Sequence, residues 1–234
     1  MDVVTLQNGG ATARVISWGA SLQDFRLAGV PHSLVLGAPD LGPYLQGMGH
    51  FGAIAGPVAN RIANGRAPLG DQQLQLERNE NGTTTLHGGS HGRGRRNWRI
   101  LAHGAQSCTL VTTLPDGTGG LPGPVTLTAK YLLEEDGALS VEIEGESEQL
   151  SLCNPAHHSY WNLDGTPTIR QHKLTIAADR YLPVDARNIP TGEIADVTDT
   201  RFDFRTGAPV LAEGAPGLDH NFCLAAGPQR LHPV

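Results

Sequence analysis

Short alternations of apolar and polar residues recur along the chain, and long helical periodicity is missing throughout. Alternation with period two is typical of strands that bury one face. Gly, Pro, Asn or Asp separates the segments, and Asn64-Gly65 is typical of a hairpin turn because both positions tolerate positive φ. The pattern predicts a sandwich or barrel-like all-β architecture. The predicted strands lie at 3–6, 13–16, 22–27, 34–36, 74–76, around Leu101, and at 108–113, 125–133 and 139–143.

A polar stretch at 154–165 lies between two such strands, since 139–143 alternates upstream and Leu174, Ile176 and Tyr181-Leu182 predict strands downstream. In an extended chain, successive side chains point to opposite faces. We therefore expect one set to face a cavity and the more apolar set to face the core. The cavity set is His158, Tyr160 and Asn162, and the core set is His157, Ser159, Trp161 and Leu163. A structural histidine tied down by hydrogen bonds is the alternative for His158.

The composition is that of a globular protein, with 39% hydrophobic and 17% charged residues in 234 positions. One domain over 1–234 is expected at this length. The formal charge of −6 argues against a nucleic-acid surface. The chain has neither an apolar run of membrane-spanning length nor the pattern of a signal peptide. Three widely spaced cysteines predict free thiols in a reducing compartment, so a cytoplasmic location is expected.

Three further stretches, at 56–66, 85–92 and 217–224, are too polar and glycine-rich for simple turns. They contribute Asn60, Arg61, His87 and Asp219, which can hold a ligand covered in hydroxyl groups. His87 and His158 have ordinary pKa values near 6.5, so either can move a proton at neutral pH. These residue types together predict proton transfer on a polyhydroxyl ligand.

Other chemistries are less well supported by the sequence. His87, His157, His158 and His220 supply zinc-type ligands, but His157 and His158 cannot both enter one site from a regular strand, so no metal or cofactor is expected. Ser159 should face away from His158, and Cys153 has no evident activation. Gly88-Gly89 does not precede a helical pattern. The arginine-rich segment 93–99 is expected to be a solvated loop, with Trp98 anchoring the next strand. An anion or nucleic-acid contact is the alternative.

The polar stretches, in this order, resemble the aldose 1-epimerase (galactose mutarotase) family over essentially the whole chain. Single tetrapeptides are weak signals, but seven motifs in register are strong. The matching segments are Asn60-Arg61-Ile62-Ala63-Asn64-Gly65, Leu86-His87-Gly88-Gly89 with Trp98, His158-Ser159-Tyr160-Trp161-Asn162-Leu163, Tyr181-Leu182-Pro183-Val184-Asp185, Pro190-Thr191-Gly192, Phe202-Asp203-Phe204-Arg205 and Asp219-His220-Asn221-Phe222.

The resemblance implies a β-supersandwich that interconverts the α and β anomers of a free aldose such as galactose or glucose. By position, His158 would protonate the ring oxygen and His87 would assist it or hold nearby hydroxyls. Arg61 and Asp219 would bind the other hydroxyls, with Asn60 and Tyr160 also in the substrate site. The expected partner is a small-molecule aldose, with no nucleic acid and no membrane, and the expected state is a monomer or weak homodimer.

Two departures from the family pattern stand out. Pro57 occupies a position where the family often has arginine. The family's general-base glutamate lies in strands that follow the last motif, whereas no glutamate follows Glu213 in this sequence. We therefore expect 1–234 to be a C-terminally truncated aldose 1-epimerase domain. The alternative is a sugar-binding relative that lacks the base and does not turn over.

Overall fold

The computed structural model describes residues 1–211, 214 and 216–224. The chain falls into two compact units, Met1–Gly165 and Thr166–Val234. The single domain expected from the length stays a prediction. The first unit has a short helix, α1 (Gly42–Leu45), 3₁₀ turns at Arg93–Arg95 and Thr118–Gly120, and thirteen described strands. These strands are β1 (Val3–Asn8), β2 (Ala11–Ile16), β3 (Ser21–Leu27), β4 (Ile54–Ala55), β5 (Arg61–Ala63), β6 (Arg66–Leu69), β7 (Gln72–Gln75), β8 (Thr84–Leu86), β9 (Arg99–His103), β10 (Ser107–Leu114), β11 (Val125–Leu133), β12 (Leu139–Ser147) and β13 (Ala156–His157).

Two antiparallel sheets supply most of the core of the first unit. One has the order β1-β2-β3 and the other β12-β11-β10-β9. Their alternating apolar residues, such as Leu6 and Val15 in one sheet and Leu127 and Tyr131 in the other, belong to one buried cluster. The Tyr131 hydroxyl also donates to the Ala20 carbonyl at 2.6 Å, which satisfies its polar atom inside that core.

The exposed face of β12 behaves as the alternation predicts. Val141 and Ile143 are half-buried against the core, while Glu142 and Glu144 are exposed. The predicted strands that became β1, β2, β3, β9, β10, β11 and β12 are confirmed. In β10 and β11, which run for eight and nine residues, the alternation of period two is directly visible.

Short strand pairs shape the rest of the first unit. β4 pairs with β13, β5 with β8, and β6 with β7. Asn64 and Gly65 form a turn with φ of 56° and 62°, as predicted. The predicted hairpin is nevertheless wrong, because the strands on either side of this turn pair with different partners.

The second unit is built from very short strands around a group of aromatic rings. Its described strands are β14 (Lys173–Leu174), β15 (Arg180–Leu182), β16 (Ala195–Asp196), β17 (Ala208–Pro209) and β18 (Asn221–Cys223). β15 lies between β16 and β18, and β14 pairs with β17. The rings of Tyr181 and Phe202 lie 4.2 Å apart between centroids, and those of Phe202 and His220 lie 4.5 Å apart.

Two predicted strand segments are wrong. Segment 34–36 contributes a single isolated bridge, between Val35 and Trp161. Ile176 lies outside β14 and donates its backbone N–H to Phe204 at 3.0 Å. Cys108, Cys153 and Cys223 are unpaired, as predicted. Within the part of the chain that the structure describes, every helix is too short or too polar to cross a membrane.

Candidate active site

His158 is held by strand pairing that continues past β13. β13 pairs with β4 through Ala156 opposite Ala55 and His157 opposite Ile54. The next residue extends the ladder, since the His158 N–H donates to the Ala53 carbonyl at 2.8 Å. The His158 carbonyl in turn accepts from the Gly52 N–H at 3.0 Å. The backbone that carries this imidazole is therefore fixed to a buried strand.

His87 is placed by the end of the β5–β8 pair. It follows β8 directly, and Asn60 precedes β5, so the two residues face each other. Both adopt left-handed φ, 52° at His87 and 61° at Asn60. The His87 N–H donates to the Asn60 carbonyl at 3.0 Å, and the Asn60 N–H donates to His87 Nδ1 at 3.1 Å. Because Nδ1 accepts this bond, the proton of the neutral His87 ring is on Nε2.

The loop after His87 has room for nothing but glycine at its first position. Gly88 has φ of 82°, and a Cβ placed on it would lie 2.5 Å from the Gly56 carbonyl oxygen. The same carbonyl accepts from the Arg93 N–H at 2.7 Å. This close approach of two backbones fixes the direction in which His87 leaves its strand.

The arginine-rich segment is less solvated than expected. Arg93 is buried and donates to the Thr113 carbonyl at 3.2 Å, and its own carbonyl accepts from Trp98 Nε1 at 3.0 Å. The predicted anchoring by Trp98 is confirmed, since that side chain is fully buried. A solvated loop is the wrong description of Arg93, because its neutral partners and the Trp98 ring draw it into the core.

A third imidazole, that of His50, completes a cluster with His87 and His158. The ring centroids of His50 and His87 are 4.6 Å apart, those of His87 and His158 are 5.0 Å apart, and those of His50 and His158 are 6.1 Å apart. Sequence reasoning missed His50. Its one signal is its place in a glycine-rich segment just before the polar stretch at 56–66.

Burial keeps most of this cluster neutral at pH 7. Burial, then the neighbouring rings of His50 and His158 and the Arg61 charge, together lower the pKa of His87 to about 3. Burial, then His158 and Arg95, lower the pKa of His50 to about 4. Burial and His158 lower the pKa of His157 to about 4. These rings therefore act as hydrogen-bonding groups at neutral pH.

Tyr160 lies on the same side of the chain as His158, as predicted. Its ring centroid is 5.3 Å from that of His158, and it stacks on the Phe51 ring with centroids 4.0 Å apart. The predicted core positions of Trp161 and Leu163 are wrong, because these side chains are 44% and 58% exposed. Regular strand geometry ends at His157, so strict alternation does not extend to residue 161. Trp161 instead packs edge-on against Phe25, with centroids 6.1 Å apart.

Arg61 is oriented by a carboxylate. Its Nε and Nη2 atoms both lie 2.9 Å from oxygens of Glu80, and both side chains are mostly buried. Asp219 belongs to the second unit, where Asn188 Nδ2 donates to its Oδ2 at 3.4 Å. Its grouping with the imidazole cluster stays a prediction.

The remaining candidates behave as structural groups. Ser159 Oγ lies 3.3 Å from His157 Nε2, so it contacts the neighbouring histidine and not His158. Burial raises the pKa of the Cys153 thiol, which leaves it unactivated. Among the residues that the structure describes, no group of three or more His, Cys, Asp and Glu side chains is arranged to hold a metal ion.

Comparison with known proteins identifies the family of the chain. The family model described as aldose 1-epimerase matches residues 2–233. The chain belongs to the aldose 1-epimerase family. It is 38% identical to the galactose mutarotase of Bos taurus over 96% of the chain, and 32% identical to the aldose 1-epimerase of Escherichia coli strain K12 over 96% of the chain.

A crystal structure of an aldose epimerase homologue from C. elegans matches with a TM-score of 0.89 and 29% identity, covering 97% of this chain and 72% of that one. The all-β fold of the mutarotase type is thereby confirmed; whether further C-terminal strands belong to it stays a prediction. The chain spans 68% of the length of the bovine relative and of the Escherichia coli relative, and 63% of that of the Mus musculus galactose mutarotase.

The structure brings four of the predicted site residues together and adds one residue that was not predicted. Asn60, His87, His158 and Tyr160 lie next to one another through direct contacts or adjacent rings. Arg61 follows Asn60 at the start of β5, and its charge acts on His87. His50 is the addition. The pairing of residues 52–53 with His158 brings His50 next to the other two rings. Because these segments are far apart in the sequence, the sequence pattern does not reveal this proximity.

Proposed function

We propose that this protein is a mutarotase, which interconverts the α and β anomers of a free aldose such as galactose or glucose. The observation that carries the proposal is the His87–His158 ring pair, 5.0 Å apart and held by backbone hydrogen bonds on both sides. Two positioned imidazoles beside an arginine and a tyrosine match the needs of proton transfer on a polyhydroxyl ring.

The two imidazoles have different roles in this proposal. His87, with its pKa lowered to about 3, carries no excess proton at pH 7 and so does not supply one. Its Nε2–H donates a hydrogen bond to a sugar oxygen. His158 is then the acid that protonates the ring oxygen as the bond between that oxygen and C1 breaks.

The ring-opening step also needs a base for the C1 hydroxyl proton. Loss of that proton lets the C1–O bond become the carbonyl of the open-chain aldehyde while the ring oxygen leaves as a hydroxyl. Rotation about C1–C2 and reversal of both proton transfers give the other anomer. We assign the base to no described residue; the family resemblance assigns it to a glutamate that follows the quoted motifs.

The sugar is bound by side chains whose orientation other residues already fix. Arg61 is held by Glu80, and Tyr160 lies on Phe51, so both can meet a sugar with little loss of side-chain freedom. Asn60 and Asp219 complete the proposed substrate-binding set. A cytoplasmic location and a monomeric or weakly dimeric state are part of the same proposal.

Anomer exchange of freshly dissolved α-galactose tests this function. Polarimetry with and without the protein should show faster approach to the equilibrium rotation, in proportion to protein concentration. A titration of galactose followed by protein NMR measures binding in the same sample. Saturable binding without acceleration would replace the mutarotase proposal with the sugar-binding alternative, and neither binding nor acceleration would remove both.

A further inference from the structure

A cavity of about 420 Å³ adjoins the imidazole cluster, with His50 as the shared wall. It lies within the first unit and opens beside the loop that follows His87. Its polar walls are formed by Trp18, His50, Asn79, Ser90, Arg95 and Arg96. The roles assigned above to His87 and His158 do not use this space.

The walls of the cavity carry two positive charges. Arg95 donates to the Leu45 carbonyl at 3.3 Å, and Arg96 donates to the Ser90 carbonyl at 3.0 Å. In the described part of the chain, neither guanidinium forms an ion pair with a carboxylate. Both arginines therefore keep donors and unneutralised charge beside the cavity.

Glu77 is a carboxylate held against this loop. Its Oε2 accepts from the N–H and the hydroxyl of Ser90, at 3.0 and 2.9 Å. Glu77 is therefore bound to neutral donors of the loop and not to the arginines. Its negative charge should oppose the entry of another anion.

Two ring nitrogens of the cavity walls lack partners. Trp18 Nε1 and His50 Nδ1 are buried, and neither has a hydrogen-bond partner among the described residues. The great majority of buried polar atoms in proteins have a hydrogen-bond partner, so these two nitrogens point to a partner that the described residues do not supply. The indole nitrogen is a donor only, which specifies an acceptor as its partner.

We infer that this cavity is a subsite for an oxyanion, a phosphate or carboxylate group, held by the Arg95 and Arg96 guanidinium groups. Planar guanidinium groups match the oxygens of phosphate and carboxylate in both charge and geometry. The anion comes from one of two sources: a substituent of the aldose itself, or a free ion. The first source rests on the proposed function, and the second does not.

The direct test is a titration of ¹⁵N-labelled protein with inorganic phosphate at about 0.15 M ionic strength, where long-range attraction is screened. The chain has three tryptophans, and a Trp18→Phe variant assigns the Trp18 indole signal by its disappearance. That signal should shift saturably with phosphate. The Trp98 indole signal should stay in place, because its N–H already donates to Arg93.

Matched variants decide whether the arginines are responsible. Arg95→Ala and Arg96→Ala should each weaken phosphate binding by about tenfold or more, the size expected for a hydrogen bond to a charged group. Arg99→Ala, which removes the same charge from an exposed residue of β9 outside the cavity, should leave the affinity unchanged. Glu77→Gln should strengthen binding.

Galactose 6-phosphate, galacturonate and galactose then distinguish the sources. If the anion belongs to the substrate, the charged sugars bind more tightly than galactose, and Arg95→Ala removes the difference. If it is a free ion, phosphate and galactose bind together without competition. The subsite is refuted if phosphate causes no saturable shift of Trp18, or if Arg99→Ala weakens binding as much as Arg95→Ala. Because the phosphate titration needs no sugar, its failure is separate from failure of the mutarotase proposal.

Discussion

At the scale of single residues, the site depends on imidazoles that burial keeps neutral and on a guanidinium whose direction is set before any sugar arrives. Arg61 is the clearest case. Glu80 holds its Nε and Nη2 atoms, so the planar fork has a defined orientation. Pre-orientation reduces the entropy that is lost when the same group binds a ligand.

Replacing Arg61 with Ala should weaken galactose binding by about tenfold or more, the effect of losing a hydrogen bond to a charged group. Arg61→Lys should restore little, because an ammonium group cannot reproduce the planar fork. Isothermal titration calorimetry with galactose measures both variants. Glu80→Gln serves as the comparison and should have the smaller effect. An affinity equal to that of the unmodified protein in Arg61→Ala would exclude Arg61 from the site.

At the scale of elements, short strand pairs bring the proposed catalytic side chains together. β4 with β13 places His158, and β5 with β8 places His87. The loop after β8 depends on Gly88, whose φ of 82° and close approach to Gly56 leave no room for a side chain. A change at this glycine should therefore disturb the His87 position as well as stability.

Gly88→Ala should destabilise the fold by more than about 1–3 kcal/mol, the usual cost of a strained backbone alone. Gly82→Ala is the matched control, since Gly82 also has positive φ, 67°, but a Cβ there meets nothing within 4 Å. Urea unfolding of both variants isolates the clash from the backbone strain. Equal destabilisation of the two would show that the Gly88–Gly56 approach is not as tight as described.

How much the sequence predicts depends on the length of each element. β10, β11 and β12 repeat the period-two pattern over eight or nine residues, so their strands and exposed faces could be read directly. β13 has only two residues, so the alternation of faces no longer holds at Trp161 and Leu163. His50 could not be found by periodicity at all, because it reaches His87 and His158 through pairing between segments more than a hundred positions apart.

At the scale of the whole molecule, the neutral histidines couple stability to pH. His50, His87 and His157 have folded-state pKa values of about 4, 3 and 4, below the ordinary value of 6.5. Between these values and 6.5, the unfolded chain binds protons that the folded chain does not. Acid therefore favours unfolding in this window, and stability is complete only above about pH 6.5.

The free energy of unfolding should stay level from pH 8 to 6.5 and fall steadily from pH 6.5 to about 4. Urea unfolding at several pH values measures this curve. His157→Gln should make it shallower, because one of the three rings no longer takes up a proton on unfolding. His103→Gln, at an exposed position of β9, is the control and should keep the original slope. A flat curve down to pH 4 would contradict the lowered pKa values.

The role of His158 as the acid is tested by the rate of galactose anomer exchange, measured by NMR magnetisation transfer, for the unmodified protein and for His158→Asn. We expect the variant to keep its fold and its affinity for galactose while the exchange rate falls by about 10²- to 10⁴-fold, the usual contribution of a positioned acid. A variant that exchanges anomers at nearly the rate of the unmodified protein would show that His158 is structural and that the acid lies elsewhere.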